Sequence, residues 1–387
     1  MEEKHGKNSR LLGTLIALVL VLILVLWVAV LQWTEPERTA TTASKLLFAS
    51  ARVIDVWDDD AEVQDWTEGR RIGKQTLEVE LTSGKWKGET REVVNYLTAY
   101  TNVDAKVGTR VIVRLDVDEN GQMEVVALPN YQRTPVLLGL IALFAALLIG
   151  IGRKKGLMAL LGLVYTLAGV WFVLIPMLRR GADPMLVTIL IVALTTAASL
   201  FLLTGWSRKT LCATLGCIGG VAAAGLLAAL AGTISPFNGF NLAEAEELVL
   251  RSLDGKLQIS GLFVSGILIA SLGAVMDVAM SISSACWEMR TLNPEISRGQ
   301  LFRSGMNIGR DAMGTMANTL ILAFAGSSLN VLLLFQIYDY PMMQLFNADT
   351  IAAEVIRGLA GSIGILLCVP LVAALSAQIM GTRKTRK

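Results

Sequence analysis

Histidine is all but missing from this chain. The single copy, His5, stands in a polar N-terminal tail, which removes Ser-His-Asp triads and HExxH zinc sites from the candidate chemistry. Cysteine is sparse. Cys212, Cys217, Cys286 and Cys368 all fall in apolar stretches, so there is no disulfide framework, and small apolar packing residues are the reading. Charge is thin as well, at 17% of residues against roughly 25% in soluble domains. The net charge of +2 gives no bulk basic character and so points to no nucleic-acid partner. Gly152-Arg153-Lys154-Lys155 lacks the spacing of a phosphate-binding loop, so energy from ATP would need another subunit. Neither a cofactor nor a metal is implied.

What is present is apolar sequence, 53% of 387 residues. The charges cluster between long uncharged runs, and a run of about 18 or more apolar residues reads as a membrane helix. The first span runs from Leu11 to Leu31, preceded by Lys4, Lys7 and Arg10. It is too long for a signal-peptide core and is expected to be an uncleaved anchor. Seven further spans are expected near residues 136–151, 157–178, 185–206, 211–231, 259–286, 313–335 and 356–380. Basic residues of the short loops divide unevenly. Arg153 to Lys155, Arg208, Lys209, Arg290, Arg298, Arg303 and the basic C-terminus lie on the side of the N-terminus, while Arg179, Arg180, Arg251, Lys256 and Arg357 lie opposite. That bias places both termini in the cytoplasm. Trp33, Trp171 and Trp206 near span ends fit an interfacial belt.

Between the first two spans, residues 45–130 read as short strands. Thr76 to Thr82 alternates apolar and polar side chains, and further strands are expected at 51–56, 92–94, 110–115 and 123–126, with turn chemistry at Ser83 to Gly88 and Asp118 to Gly121. Four or five short strands without crossover helices suit a small barrel. The fold class expected is therefore a membrane α-helical bundle, about eight transmembrane helices, with a small β-barrel-like domain of OB or SH3 type between helices 1 and 2. The domains are residues 1–33 (tail and anchor), 45–130 (β domain) and 134–382 (a seven-helix membrane domain), with residues 34–133 extracytoplasmic. A short echo, Phe240-Asn241 to Gly255 and Phe346-Asn347 to Gly361, suggests two helix hairpins of like orientation with Asn as a helix cap.

One feature concentrates the functional reading. Leu262 to Trp287 carries a single charge, Asp277, and an ionisable group at membrane depth is a functional candidate by default. Asp277, Ser281, Ser284 and Glu288 share one helical face. The following segment presents Asn307, Asp311, Thr315 and Asn318 on a face of its own, with Arg310 about 100° from Asp311. Asp277 lies sixteen residues beyond Gly261, or roughly 24 Å along a helix, which is the cytoplasmic third of a core about 30 Å thick. An Asp277–Arg310 ion pair is geometrically allowed there. It reads either as a structural pair fixing helix register or as part of a site for a cation, a proton or a small polar solute. The candidate binding residues are Asp277, Arg310, Asp311, Asn307, Ser281 and Asn318. Asp58 to Asp60 reads as a solvated turn, and Trp57, Trp66 and Trp86 as packing more than a ligand face.

Gly273-Ala274-Val275-Met276-Asp277-Val278-Ala279-Met280-Ser281 and the stretch from Ser304 through Gly309-Arg310-Asp311 to Met316, followed by Asn318-Thr319-Leu320, together resemble the signature segments of the YibE/F-like family of bacterial membrane proteins. The likeness runs from roughly the strand-rich segment to the C-terminus. It implies a multi-pass protein of a bacterial plasma membrane and transfers no catalytic residue. The expectation is a transporter or permease-like protein in the lipid bilayer acting on an unknown small molecule or ion. The alternative is a non-catalytic membrane scaffold whose external β domain binds an envelope partner protein or another copy in a homo-oligomer. An intramembrane aspartyl enzyme is disfavoured by the Gly309-Arg310-Asp311 context.

Overall fold

The computed structural model describes residues 19–31, 47–117, 123–237, 239–240, 245–251 and 257–382. His5, residues 11–18 of the first span, the expected turn at 118–121, the Asn241 cap, Gly255 and the basic residues from 383 onward lie outside them. The chain divides into two compact units, residues 36–147 and residues 1–35 with 148–387.

The smaller unit is built on an antiparallel sheet of β1 (Leu47–Asp59), β2 (Glu62–Val63), β3 (Arg71–Leu81), β4 (Thr90–Leu97), β5 (Arg110–Val117) and β6 (Met123–Tyr131). The order is β2-β3-β1-β5-β6, with β4 paired to β3. Alternation drives it: Gln75, Leu77, Val79 and Leu81 point inward, while Thr76, Glu78 and Glu80 are half-exposed. β1 pairs β3 on one side and β5 on the other, with register shifts at Val53/Asp55 and Val56/Asp58 that bend a long strand around the core. Arg91 Nε donates to Met123 O at 3.4 Å, bringing β4 to β6. All the expected strands form, each longer than its apolar pattern.

Two amides are buried in this core, Gln75 and Asn95, 1% and 2% exposed. Both find partners. Gln75 Nε2 donates to Asp59 Oδ2 (3.0 Å) and Ala105 O (3.2 Å), and its Oε1 accepts from Asn95 Nδ2 (3.1 Å) and Ala105 N (3.2 Å). Arg71 bridges Asp59 (2.6 Å) and Asp104 (3.0 Å). Burial works against the Asp59 carboxylate, but hydrogen bonds from Arg71, Gln75 and the Ala61 N–H, with the Arg71 charge, hold its pKa below the usual range. Asp59 is thus a member of the fold's own network and not a free member of an acidic turn.

The helices are α1 (Val19–Leu31), α2 (Thr134–Gly169), α3 (Ile175–Arg179), α4 (Pro184–Thr204), α5 (Arg208–Ile234), α6 (Ala245–Arg251), α7 (Leu262–Leu292), α8 (Arg298–Ser327), α9 (Leu329–Ile337), α10 (Met342–Asn347) and α11 (Asp349–Met380). By length and composition, five stretches among the described residues could cross a membrane, and six if α8 and α9, bent by 57°, count as one. α2 leaves helical geometry at Arg153 (φ 48°, ψ −128°), between the two spans expected there. Gly156 abuts this break, since a Cβ on it would stand 1.9 Å from Leu148 O. A π-helical turn, Val170–Leu174, precedes Pro176, whose ring has no N–H to give. α8 begins well before the expected residue 313, fixed by a capping box in which Ser297 and Gln300 satisfy each other's backbone N–H. The second half of the sequence echo does not start a helix at its Asn. Asn347 closes α10, and Arg357 lies inside α11.

α5, α7, α8 and α11 form the core of the larger unit. Glycine sets their closeness. A Cβ at Gly220 would stand 2.8 Å from Cys368 Cβ and 3.1 Å from Gly364 O, and one at Gly309 only 2.2 Å from Val369 Cγ1. Such backbone-to-backbone approach is how helices gain contact where lipid removes the hydrophobic drive. The four cysteines are free and buried here.

Candidate functional site

The inward faces decide where the polar residues go. On α8, Gly305 meets Cys286 and Ala373, Gly309 meets Ile282 and Val369, and Leu320 is buried beside Gly361 of α11. These residues recur at helical spacing and turn one side of α8 into the groove between α7 and α11. The opposite side carries Asn307, Arg310, Asp311, Gly314, Thr315 and Asn318, all exposed. α7 behaves alike. Leu268, Ser271, Val275, Val278, Ile282 and Cys286 are buried, while Gly266, Ala270, Gly273, Asp277 and Ser281 form an exposed stripe behind them.

All six candidate residues are therefore on outward faces of two neighbouring helices. The contacts Cys286–Gly305 and Ile282–Gly309 set the relative depth of α7 and α8. Continuing at equal rise, Ser281 stands level with Arg310, and Asp277 level with Gly314, about one turn away. Ala317 and Ile321 approach Ser362 and Gly358 of α11. At 100° per residue this turns Arg310 toward the α11 flank and Asp311 and Thr315 toward the α7 flank.

The Asp277–Arg310 pair allowed by the sequence does not form within the chain. Among the described residues, Asp277 has no cationic partner within 4.0 Å. Arg310 Nη1 instead donates to Asn307 Oδ1 at 3.4 Å on its own helix. The reason is rotational: Arg310 turns away from α7, a turn removed from Asp277. Nor are these groups shielded inside the bundle. Several interior hydroxyls, by contrast, are satisfied between helices, although Thr196 Oγ1 and Ser376 Oγ are buried without a hydrogen-bond partner among the described residues. Ser283 Oγ donates to Lys209 O (2.6 Å) and Thr188 Oγ1 to Ser265 Oγ (2.9 Å).

A feature the sequence reading passed over lies at the other end of the α7 stripe. A cavity of about 320 Å³ is lined by Gly239, Ala245, Leu248, Ile259, Phe263, Gly266 and Arg357 among others. Arg357 pairs with Glu354 at 2.6 Å, and its guanidinium carbon lies 5.4 Å from the centre of the Phe263 ring. Glu354 Oε2 is buried without a hydrogen-bond partner among the described residues. The i, i+3 spacing of an acid and a base inside an apolar span was the available signal. From Gly266 to Asp277 the stripe extends about 16 Å along α7. In the smaller unit, Arg70, Tyr100, Asn102, Asn130, Tyr131 and Arg133 line a second, polar cavity of about 420 Å³. Elsewhere in this unit Trp66 and Trp57 are exposed, while Trp86 packs on the core.

The family model for YibE/F-like proteins matches residues 140–382, well over half of the chain. No curated protein and no solved structure matches it.

Proposed function

We propose that this chain, which belongs to the YibE/F-like family, is a permease-like protein of the bacterial plasma membrane that passes a cation, a proton or a small polar solute along the α7/α8 face. The observation that carries this reading is the joint placement of Asp277, Ser281, Asn307, Asp311, Thr315 and Asn318 on exposed faces of two membrane-length helices. An ionised Asp or Arg at the centre of a bilayer costs about 2.5–3.5 kcal/mol on insertion scales. Two acids and an arginine are too costly a surface to keep against lipid, whereas a hydrated path would solvate them. Asp277 is the contact acid, Asp311 a second acid nearer the cytoplasm, and the Arg357–Glu354 cavity the opposite mouth.

The topology that goes with this reading has eight crossings. They are the first span ending in α1, the two parts of α2 on either side of Arg153, α4, α5, α7, the α8–α9 pair and α11. Both termini are cytoplasmic, and the sheet lies outside. Its strand order, with β4 approaching β6, suits a partly open barrel of OB type.

Liposomes holding the purified full chain and a pH-reporting dye test the proposal, challenged in turn with proton, Na⁺ and K⁺ gradients. Asp277→Asn is expected to lower the flux at least tenfold while insertion and melting stay unchanged. Flux equal to wild type in that variant rejects the assignment.

A second reading rests on the smaller unit, where Trp66 is 69% exposed and Tyr100, which lines the polar cavity, is 99% exposed. There the sheet is a docking module for an envelope protein, and the helices are its anchor. Loss of that association on deleting residues 45–130, with no flux in any gradient for the intact chain, favours this reading over the first.

A further inference from the structure

Two groups of glycines in the larger unit contrast. Those facing the core each meet a neighbour: a Cβ on Gly220, Gly225, Gly305, Gly309, Gly361 or Gly364 would lie within 3.1 Å of another helix. Those on the outward stripe meet nothing among the described residues. A Cβ on Gly266, Gly273 or Gly314 has no atom within 4 Å. Glycine is unfavourable in a helix interior, and no contact among the described residues requires it at these three positions. They flank Asp277, Arg310 and Asp311, which have no ion-pair partner among the described residues. One surface thus combines room for close backbone approach with uncompensated charges of both signs.

We infer that the α7/α8 face seats on the same face of a second copy of the chain, and that the site is complete only in this dimer, with Arg310 of each copy answering the acids of the other. The inference rests on the membrane placement above but not on transport. A two-fold axis along the membrane normal keeps both copies the same way up, so groups meet at like depth. Asp277 and Arg310 differ by about one helical turn in level, within reach of a long arginine side chain. Within one chain they are turned apart; across a two-fold axis the α11 flank of one copy's α8 faces the α7 stripe of the other. A surface bearing two acids and one base within about one helical turn of depth can pair with itself, whereas an unrelated apolar helix would leave all three charges unmet. Gly266, Ala270, Gly273 and Gly314 provide the close approach on which helix pairs in lipid depend.

Gly273→Cys and Gly314→Cys in the full chain test this, separately and together, because the four native cysteines are all buried. Oxidation in native membranes is expected to give a product of twice the 41.7 kDa chain mass from at least one of them, and none from Leu190→Cys on α4. Arg310→Glu should lower the yield at least tenfold, and Arg310→Glu with Asp277→Lys should restore it. Wild-type protein in nanodiscs should hold two chains per particle. One chain per particle with no cross-link, or a cross-link to a protein of another mass, overturns the inference. A dimer that persists while Asp277→Asn leaves flux unchanged removes the transport reading and leaves the dimer standing.

Discussion

Gly220→Ala adds one methyl group where α5 packs tightly on α11. That methyl would stand 2.8 Å from Cys368 Cβ, 2.9 Å from Val275 Cγ1 and 3.1 Å from Gly364 O. Carbon pairs prefer about 3.5–4.0 Å, so the helices must part by about 0.7 Å or more. No rotamer change relieves the contact, because Cys368 Cβ and Gly364 O move only with the backbone of α11. Overpacking of this kind costs about 1–3 kcal/mol. The better helix propensity of alanine returns about 0.5–1 kcal/mol, leaving a net loss of up to about 2.5 kcal/mol. For a unit of this size that is a fall of up to about 10 °C in Tm. The buried thiols supply the assay, since Cys212, Cys217, Cys286 and Cys368 become reactive toward a maleimide dye only as the bundle opens. Gly364→Ala should behave alike, because its methyl would meet Ala224 Cβ at 2.7 Å. The double variant should fall short of the sum, as both changes open one contact. Gly139→Ala and Gly150→Ala meet nothing within 4 Å and should leave Tm equal or slightly raised. A Gly220→Ala melting curve that overlays Gly150→Ala would refute the packing argument.

Three other outcomes follow from the same geometry. Gln75→Leu strands the Ala105 N–H and removes a donor from Asp59; the sheet should lose about 1–3 kcal/mol, read as earlier proteolysis of the full chain in urea. Asp59 has a folded pKa below its ordinary value, so its contribution is whole above the unfolded pKa of about 3.9 and disappears as pH falls through the lower folded value. Proteolysis of the sheet at decreasing pH should show that loss, small because the pair is partly exposed, and Asp59→Asn should flatten it. Ser297→Ala breaks the box that starts α8 and should cost about 0.5–2 kcal/mol, seen as faster hydrogen exchange over residues 298–301.

Much of this was legible in the residues themselves. Strict alternation from Thr76 to Thr82 placed β3, and long uncharged runs placed α4, α5, α7 and α11, because burial on one face or immersion in lipid leaves a periodic trace in the side chains. The same periodicity put Asp277 with Ser281, and Asp311 with Asn318, on common faces. The motifs around Asp277 and Arg310 led to the family that the comparison shows. The start of α8 was missed because its first turns are polar and its boundary is held by a local cap at Ser297. The Arg357–Glu354 cavity was missed because its walls join α6 and α7 to α11, which lies far from them in the chain.

Sequence alone determined which residues share a face, because the helix repeat is a local property of the backbone. Which face turns inward was decided only by tertiary packing. Gly305 and Gly309 draw α8 into the groove between α7 and α11, and that rotation sends Arg310 away from Asp277 and leaves both facing outward. A helix can present only one side to its neighbours, and the choice depends on where the closest backbone contacts lie, which no stretch of a single helix records.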